Sequence, residues 1–388
     1  MHIRLPQQDG SLKTVSLKAS PIEPSGSTPK FNRIVYAAAH VVIDPFATVD
    51  PWDSSPKVDW DATLAFRERL YTLGFKVAEA MDTAQRGMGV DWPVARELIQ
   101  RSLRHAQEQG GEAACGVGTD QLHASSDVTL ADVEAAYREQ LAVVEHEGGK
   151  VILMASRALA RCAKGRDDYL TIYGRILRDA MQPVVLHWLG PMFDAELDGY
   201  WGSRDIPTAM DTVAELIKQN ADTVDGIKVS LLDAKWEIEL RRRLPPGVKM
   251  YTGDDFNYAE LIQGDDVGYS HGLLGIFDPI APVAAVGLGE LAAGNVGRYR
   301  ELLDPTVALS RELFRSPTRH YKAGVVLLAW LNGHQRHFSM AGGLQSARGA
   351  VHYARVFELA DACGVLTDPD LAVKRMRELL SVAAGVDA

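Results

Sequence analysis

From Arg33 onward, short apolar runs alternate with longer stretches whose apolar residues recur at helical spacing. Eight runs read as strands, in order R-I-V-Y-A-A-A-H-V-V, F-K-V-A-E-A-M, E-A-A-C-G-V-G, K-V-I-L-M-A-S, P-V-V-L-H-W, D-G-I-K-V-S, V-K-M-Y-T-G-D-D and G-Y-S-H-G-L-L-G-I. The stretches between them carry helix starts. Asp59 and Asp91 are placed to accept from orphan N–H groups, and Thr129 with Asp132 has the capping-box pattern. Such alternation points to a parallel sheet. Eight units over about 250 residues match a (β/α)8 barrel. An open doubly wound sheet also alternates, but it seldom reaches eight units without an antiparallel edge. The expected fold class is therefore α/β, a (β/α)8 TIM barrel.

Both flanks depart from this pattern. I-R-L-P-Q-Q-D-G-S-L-K-T-V-S-L alternates apolar and polar residues around Asp9-Gly10, a hairpin turn signal, and a Pro/Ser-rich connector follows. After the eighth strand the pattern is helical only, with apolar spacing around Tyr321 to Leu331, Gln345 to Ala362 and Asp370 to Val382. The expected organisation is an N-terminal β-ribbon and linker over 1–30, the barrel over 31–295 and a C-terminal helical extension over 296–388.

Composition narrows the partners. With 388 residues, 46% hydrophobic and 24% charged, the chain can bury a substantial core. A net charge of -10 argues against nucleic-acid or membrane-surface binding, both of which need concentrated positive potential. The partner expected is a small molecule. Cys115, Cys162 and Cys363 are widely spaced and lack metal-ligand spacing, so they read as free thiols. No apolar run reaches the length of a membrane span and no apolar signal core opens the chain, so a cytoplasmic location is expected.

In a barrel the C-terminal strand ends converge on the mouth that carries the chemistry. Read this way, strand two offers Glu79, Asp82 and Thr83; strand three, Thr119 and Asp120; strand four, Ser156 and Arg157. Strand five offers His187 and Trp188, strand six Lys228 and Ser230, strand seven Asp254 and Asp255, and strand eight His271. Several have a purely structural reading. Asp254 or Asp255 can cap the following helix, Glu79 can pair with Lys228 or a nearby arginine, and His271 can be a loop histidine. G-V-G-T-D completes no phosphate-loop pattern. Lys228, between Ile227 and Val229, is harder to explain. Inside a barrel it either pairs with a carboxylate or loses charge, because desolvation disfavours the ammonium. A neutral amine can attack a keto group and form a Schiff base.

Five motifs, in order, resemble the dihydrodipicolinate synthase and N-acetylneuraminate lyase family of class I aldolases. D-P-F at Asp44 to Phe46 resembles T-P-F after the family's first strand, and V-D-W-D-A-T-L resembles V-D-F-x-A-L. D-G-I-K-V-S is similar to the segment that holds the family's Schiff-base lysine, which implies that role for Lys228. T-G-D-D and S-H-G-L-L-G resemble G-D-D and G-x-G-x-I-S. The resemblance also implies a homodimer or homotetramer. Departures mark a divergent member. M-D-T-A-Q stands where the family has G-T-T-G-E, so Thr83 keeps one hydroxyl while Asp82 brings a negative charge. His187, in L-H-W-L-G-P, stands at the family's tyrosine, no arginine follows Pro191, and A-S-R replaces T-P-Y-Y.

The function expected is a Schiff-base-forming lyase or aldolase acting on an oxo acid or sugar-derived carbonyl compound, and not a true dihydrodipicolinate synthase. Lys228 is the expected nucleophile and His187 the proton carrier. Asp82, Thr83, Thr119, Asp254 and His271 are the candidate substrate contacts. No cofactor is expected. One alternative is a divalent-metal isomerase or epimerase barrel with Glu79, His187, Asp254 or Asp255, and His271 as ligands. The other is a barrel that binds without catalysis.

Overall fold

The computed structural model describes residues 2–26, 28–47, 55–122 and 127–387. Met1 and Ser27 of the expected ribbon and linker, and Ala388 of the helical extension, lie outside them. The chain opens with β1 (His2–Pro6) and β2 (Leu12–Ser16), an antiparallel pair turning at Asp9-Gly10. Gly10 has φ +82, and the Asp9 carboxylate accepts from the Ser11 amide at 2.9 Å, which fixes the turn.

The barrel follows, with its strands in one closed ring: β3 (Val35–Ala38), β4 (Lys76–Glu79), β5 (Ala113–Val117), β6 (Lys150–Leu153), β7 (Val184–Leu189), β8 (Val224–Ser230), β9 (Lys249–Thr252) and β10 (His271–Leu274). Every neighbouring pair is parallel, and β10 pairs with β3 to close the ring. Each of the eight runs read from the sequence coincides with one of these strands, β7 and β8 each reaching one residue beyond its run. The outer ring comprises α1 (Trp60–Thr72), α2 (Trp92–Gln109), α3 (Leu130–His146), α4 (Arg157–Cys162), α5 (Arg166–Asp179), α6 (Ile206–Gln219), α7 (Ala234–Arg241), α8 (Tyr258–Gln263) and α9 (Ala281–Ala292). The helix starts are built as expected. Asp59 accepts from the Ala62 amide at 3.0 Å and Asp91 from Val94 at 3.4 Å, and Thr129 and Asp132 exchange both capping-box bonds.

Four further helices complete the chain: α10 (Val296–Leu313), α11 (Tyr321–Leu331), α12 (Ala350–Ala362) and α13 (Pro369–Ala384). The helix expected from Gln345 begins only at Ala350. Residues 341–347 form short 3-10 turns, because Gly342 and Gly343 take positive φ values of 63 and 70. All eleven residues of α11 are buried, as expected of a helix that is apolar all round from Ala323 to Leu331. β1 buries Ile3 and Leu5 and packs on α12 and α13, which ties the two ends of the chain together. No helix among the described residues is long and apolar enough to cross a membrane.

Strand register decides which side chains face the barrel axis, since successive residues point to opposite faces. Tyr36, Ala38, Ala78, Ala114, Ile152, Val185, Tyr251 and Leu273 pack together as an inner cluster, separate from the larger layer between sheet and helices. The N-terminal end of the barrel is closed by polar side chains. Glu112 accepts from Tyr36 Oη and Lys76 Nζ, each at 2.7 Å, while Asp225 accepts from Lys249 Nζ at 2.6 Å and Tyr251 Oη at 2.7 Å. The space left open is at the other end.

Candidate active site

In β8 the inward positions are Gly226, Lys228 and Ser230, so Lys228 lies on the barrel axis below the mouth. The glycine after β9 makes room for it. A Cβ on Gly253 would lie 2.7 Å from Lys228 Cε and 2.2 Å from Ser230 Oγ. Above the lysine is a narrow cavity, whose walls include Asp82, Thr83, Lys228, Ser230, Asp255 and Tyr321. A larger, more open depression lies outside the barrel between α1 and α2, with the charged residues of those helices spread along it rather than converging.

Lys228 is 7% exposed, and among the described residues no carboxylate oxygen lies within 4.0 Å of Nζ. Burial lowers the ammonium pKa below 10.5, while Asp82 and then Asp255 oppose that fall. Asp255 shows the converse effect. Burial raises its carboxyl, and the Ile276 amide, bonded to Oδ1 at 3.0 Å, and the Lys228 charge pull it back. The two groups therefore move toward each other, which brings proton transfer between them nearer to balance than it would be in water.

The opposite wall comes from outside the barrel strands. Tyr321, the first residue of α11, shares a hydrogen bond of 2.8 Å between its hydroxyl and Thr83 Oγ1. Its ring stacks on Phe314 with centroids 4.2 Å apart, and Phe193 meets both rings edge-on. Gly275 lets this wall close. A Cβ there would come within 3.1 Å of Tyr321 and Phe314 and 3.3 Å of Thr83 Oγ1. Two non-glycine residues with positive φ, Ala80 at 52 and Leu232 at 55, stand just beyond β4 and β8, so local backbone strain flanks Asp82 and Ser230.

Not every strand-end candidate reaches the cavity. Lys228, Asp82, Thr83, Ser230 and Asp255 do. His187 pairs with Lys228 across β7 and β8 and shares its face, but it is fully buried and does not line the cavity, with Nε2 3.2 Å from Ser230 Oγ and, among the described residues, no partner for Nδ1. Burial, and then the Lys228 charge, push its pKa well below 6.5, so the ring is neutral. Thr119 bonds to Ser156 Oγ at 2.6 Å, away from the cavity, and Asp120 is held by Arg86 and Gln140. Arg157 is bonded to Asp194 at 2.5 Å. Trp188 faces outward into the layer beneath the helices.

Three candidates lie away from the cavity, Glu79 with an arginine as its structural reading allowed. Glu79 faces outward, where Arg67 of α1 grips both its oxygens at 2.9 and 3.0 Å, so it meets neither Lys228 nor the cavity. Asp254 folds into its own turn, accepting from the Phe256 amide at 2.8 Å, the Asn257 amide at 3.1 Å and Asn257 Nδ2 at 2.8 Å. His271 begins β10 rather than ending it and so lies at the closed end of the barrel, where Nδ1 accepts from the Ile34 amide at 3.0 Å. Burial, with Lys249 and Arg33, lowers its pKa to about 4. The ligand set of the metal alternative is thus dispersed rather than gathered at one point. Among the described residues no group of three or more His, Cys, Asp or Glu side chains is placed to hold a metal ion. Tyr321 and Phe193 are wall residues that strand-end reading cannot find. The one signal for Tyr321 is its position, a hydroxyl that with Lys322 heads a helix apolar from Ala323 onward.

The family described as "Protein of unknown function (DUF993)" matches residues 3–386 of the chain. No curated protein matches it. Among solved structures, dihydrodipicolinate synthase from Aquifex aeolicus superposes with a TM-score of 0.61 at 12% identity, over 90% of this chain and 97% of that one. The same enzyme from Bacillus clausii gives a TM-score of 0.62 at 13% identity, over 84% and 96%. That from Bacteroides thetaiotaomicron gives 0.60 at 15% identity, over 84% and 98%. At these identities the likeness establishes a shared fold, as the five ordered motifs imply, and a divergent sequence on it.

Proposed function

The chain belongs to the DUF993 family, whose description names no activity, and from its site we propose that it is a Schiff-base-forming lyase or aldolase acting on a small oxo acid or sugar-derived carbonyl compound. The observation that carries this reading is the setting of Lys228: a buried amine at the floor of a barrel-mouth cavity, with no carboxylate close enough to hold it as an ion pair. A structural lysine would be paired. This one is left with a lowered pKa and an open face.

The neighbours supply the proton steps. Asp255 takes the proton from the Lys228 ammonium, and the free amine attacks the carbonyl carbon. The same carboxyl returns a proton to the departing oxygen, so that water leaves and a protonated imine forms. That cation draws electrons from the adjacent carbon, which permits a carbon–carbon bond to break or form there. Thr83 and Tyr321 orient the substrate oxygens through their shared hydrogen bond. His187 acts through Ser230, as a positioning group rather than a contact.

The absence of an arginine after Pro191 sets the substrate apart from that of the dihydrodipicolinate synthases. Little condensation of pyruvate with aspartate semialdehyde is expected. The test is a screen of oxo acids and keto sugars for cleavage or condensation products, run with the wild type and Lys228→Arg. Arginine stays protonated and cannot attack. A substrate turned over by the wild type and equally by Lys228→Arg would overturn the imine reading.

A further inference from the structure

Two cations beside the cavity keep N–H donors that meet no acceptor among the described residues. Lys322 follows Tyr321 and is 3% exposed. Its Nζ donates to the Arg319 carbonyl at 3.0 Å, lies 3.4 Å from Met88 Sδ and stands 4.8 Å from the centroid of the Tyr321 ring that walls the cavity. An ammonium carries three donors. Here a single oxygen serves a buried charge, a state that costs free energy until an anion arrives. Arg157 donates from Nε to Asp194 at 2.5 Å, and its two terminal nitrogens make no hydrogen bond among the described residues. Asp194 follows Phe193 of the cavity wall.

Lys322 feels Asp82 and Asp194 as attraction and Arg157 and Arg319 as repulsion, and burial outweighs these, lowering its pKa to about 8. Burial lowers the Arg157 pKa, but Asp194, Glu196 and Asp82 attract the charge and together raise it. Neither cation hydrogen-bonds Asp82, which lines the cavity.

We propose that Lys322 and Arg157 form an anion subsite at the mouth, which takes a carboxylate or phosphate monoester carried by the substrate while its carbonyl end reaches Lys228. The guanidinium offers two parallel donors to an oxyanion, and the ammonium offers a point charge. The inference rests on the imine reading for the direction of the substrate but not for the existence of the subsite. It gives the substrate class a second requirement, an anionic group away from the reacting carbon.

Calorimetric titration with inorganic phosphate and with acetate, on the wild type, Lys322→Gln, Arg157→Gln and Lys228→Ala, tests it. Expected is binding of at least one anion, weakened about 10-fold or more by each of the first two substitutions and retained in Lys228→Ala. Phosphate without acetate assigns a phosphate monoester, and acetate without phosphate a carboxylate. Arg157 is partly exposed, so its variant stays informative if Lys322→Gln fails to fold. Binding of neither anion, or binding indifferent to both substitutions, overturns the subsite even if Lys228 proves to form an imine. Anion binding that depends on Lys322 and Arg157 in a protein whose Lys228 forms no imine keeps the subsite and removes the imine reading.

Discussion

Adding one methyl group at Gly253 should disable the site without touching any reactive atom. The Cβ would lie 2.2 Å from Ser230 Oγ, 2.7 Å from Lys228 Cε and 2.9 Å from the Val229 carbonyl oxygen. Carbon atoms rest at about 3.5–4.0 Å, so the lysine stem must retreat by about 1 Å. The backbone cannot give way easily, because the Gly253 amide donates to Val229 O at 2.8 Å. Overpacking of this kind costs about 1–3 kcal/mol, and a 1 Å misplacement of a reacting group costs about 10²-fold in rate. Gly253→Ala should therefore shift the urea midpoint by an amount in that range and slow imine formation about 10²-fold. Gly297→Ala is the control: its Cβ meets nothing within 4 Å, and in α10 it should be neutral or stabilising. Gly253→Ala with wild-type stability and wild-type rate would show that Lys228 and Ser230 are not packed as described.

Other perturbations separate the remaining roles. Tyr321→Phe leaves Thr83 Oγ1 without its buried partner and should cost about 1–3 kcal/mol, with turnover lost and imine formation at Lys228 retained; retained turnover would remove Tyr321 from the reaction. His187→Asn should lower turnover by less than about 10²-fold, the low end of general acid–base contributions, because the ring does not line the cavity; a loss near 10⁴-fold would return it to direct proton transfer. Glu237, beneath the barrel wall, is raised by burial to about 8 from an ordinary 4.5. A raised folded pKa means the folded state holds the proton more tightly, so its stabilising effect is complete below about 4.5 and lost as pH rises through about 8. Urea midpoints should then show Glu237→Gln matching the wild type near pH 4 and exceeding it at pH 9, and parallel profiles would refute the assignment.

The sequence made some of this legible, for identifiable reasons. The strands could be read because each apolar run is short and is followed by a capped amphipathic helix, and Lys228 stood out because an ammonium between Ile227 and Val229 conflicts with the strand pattern. What failed was side and end. Glu79 and Ala78 are adjacent in a four-residue strand, and only the register, which sends Ala78 inward, sends Glu79 to Arg67. A one-residue ambiguity reverses every side chain. His271 is a first residue mistaken for a last one, since the polar residues around it do not mark where pairing begins. Tyr321 and Lys322 lie about 90 residues beyond Lys228 on a helix outside the barrel, and no local spacing relates them to it.

The central claim, that Lys228 is a free nucleophilic amine at the cavity floor, is tested most directly by trapping it. The wild type is incubated with a panel of oxo acids and keto sugars and reduced with borohydride, and the adduct is located by peptide mass mapping. The expected result is a single adduct on the peptide containing Lys228, forming faster as pH rises, with the midpoint of that rise below the ordinary lysine value because burial disfavours the ammonium. An adduct on Lys322 or another lysine, or none across the panel with folded protein, would contradict the account.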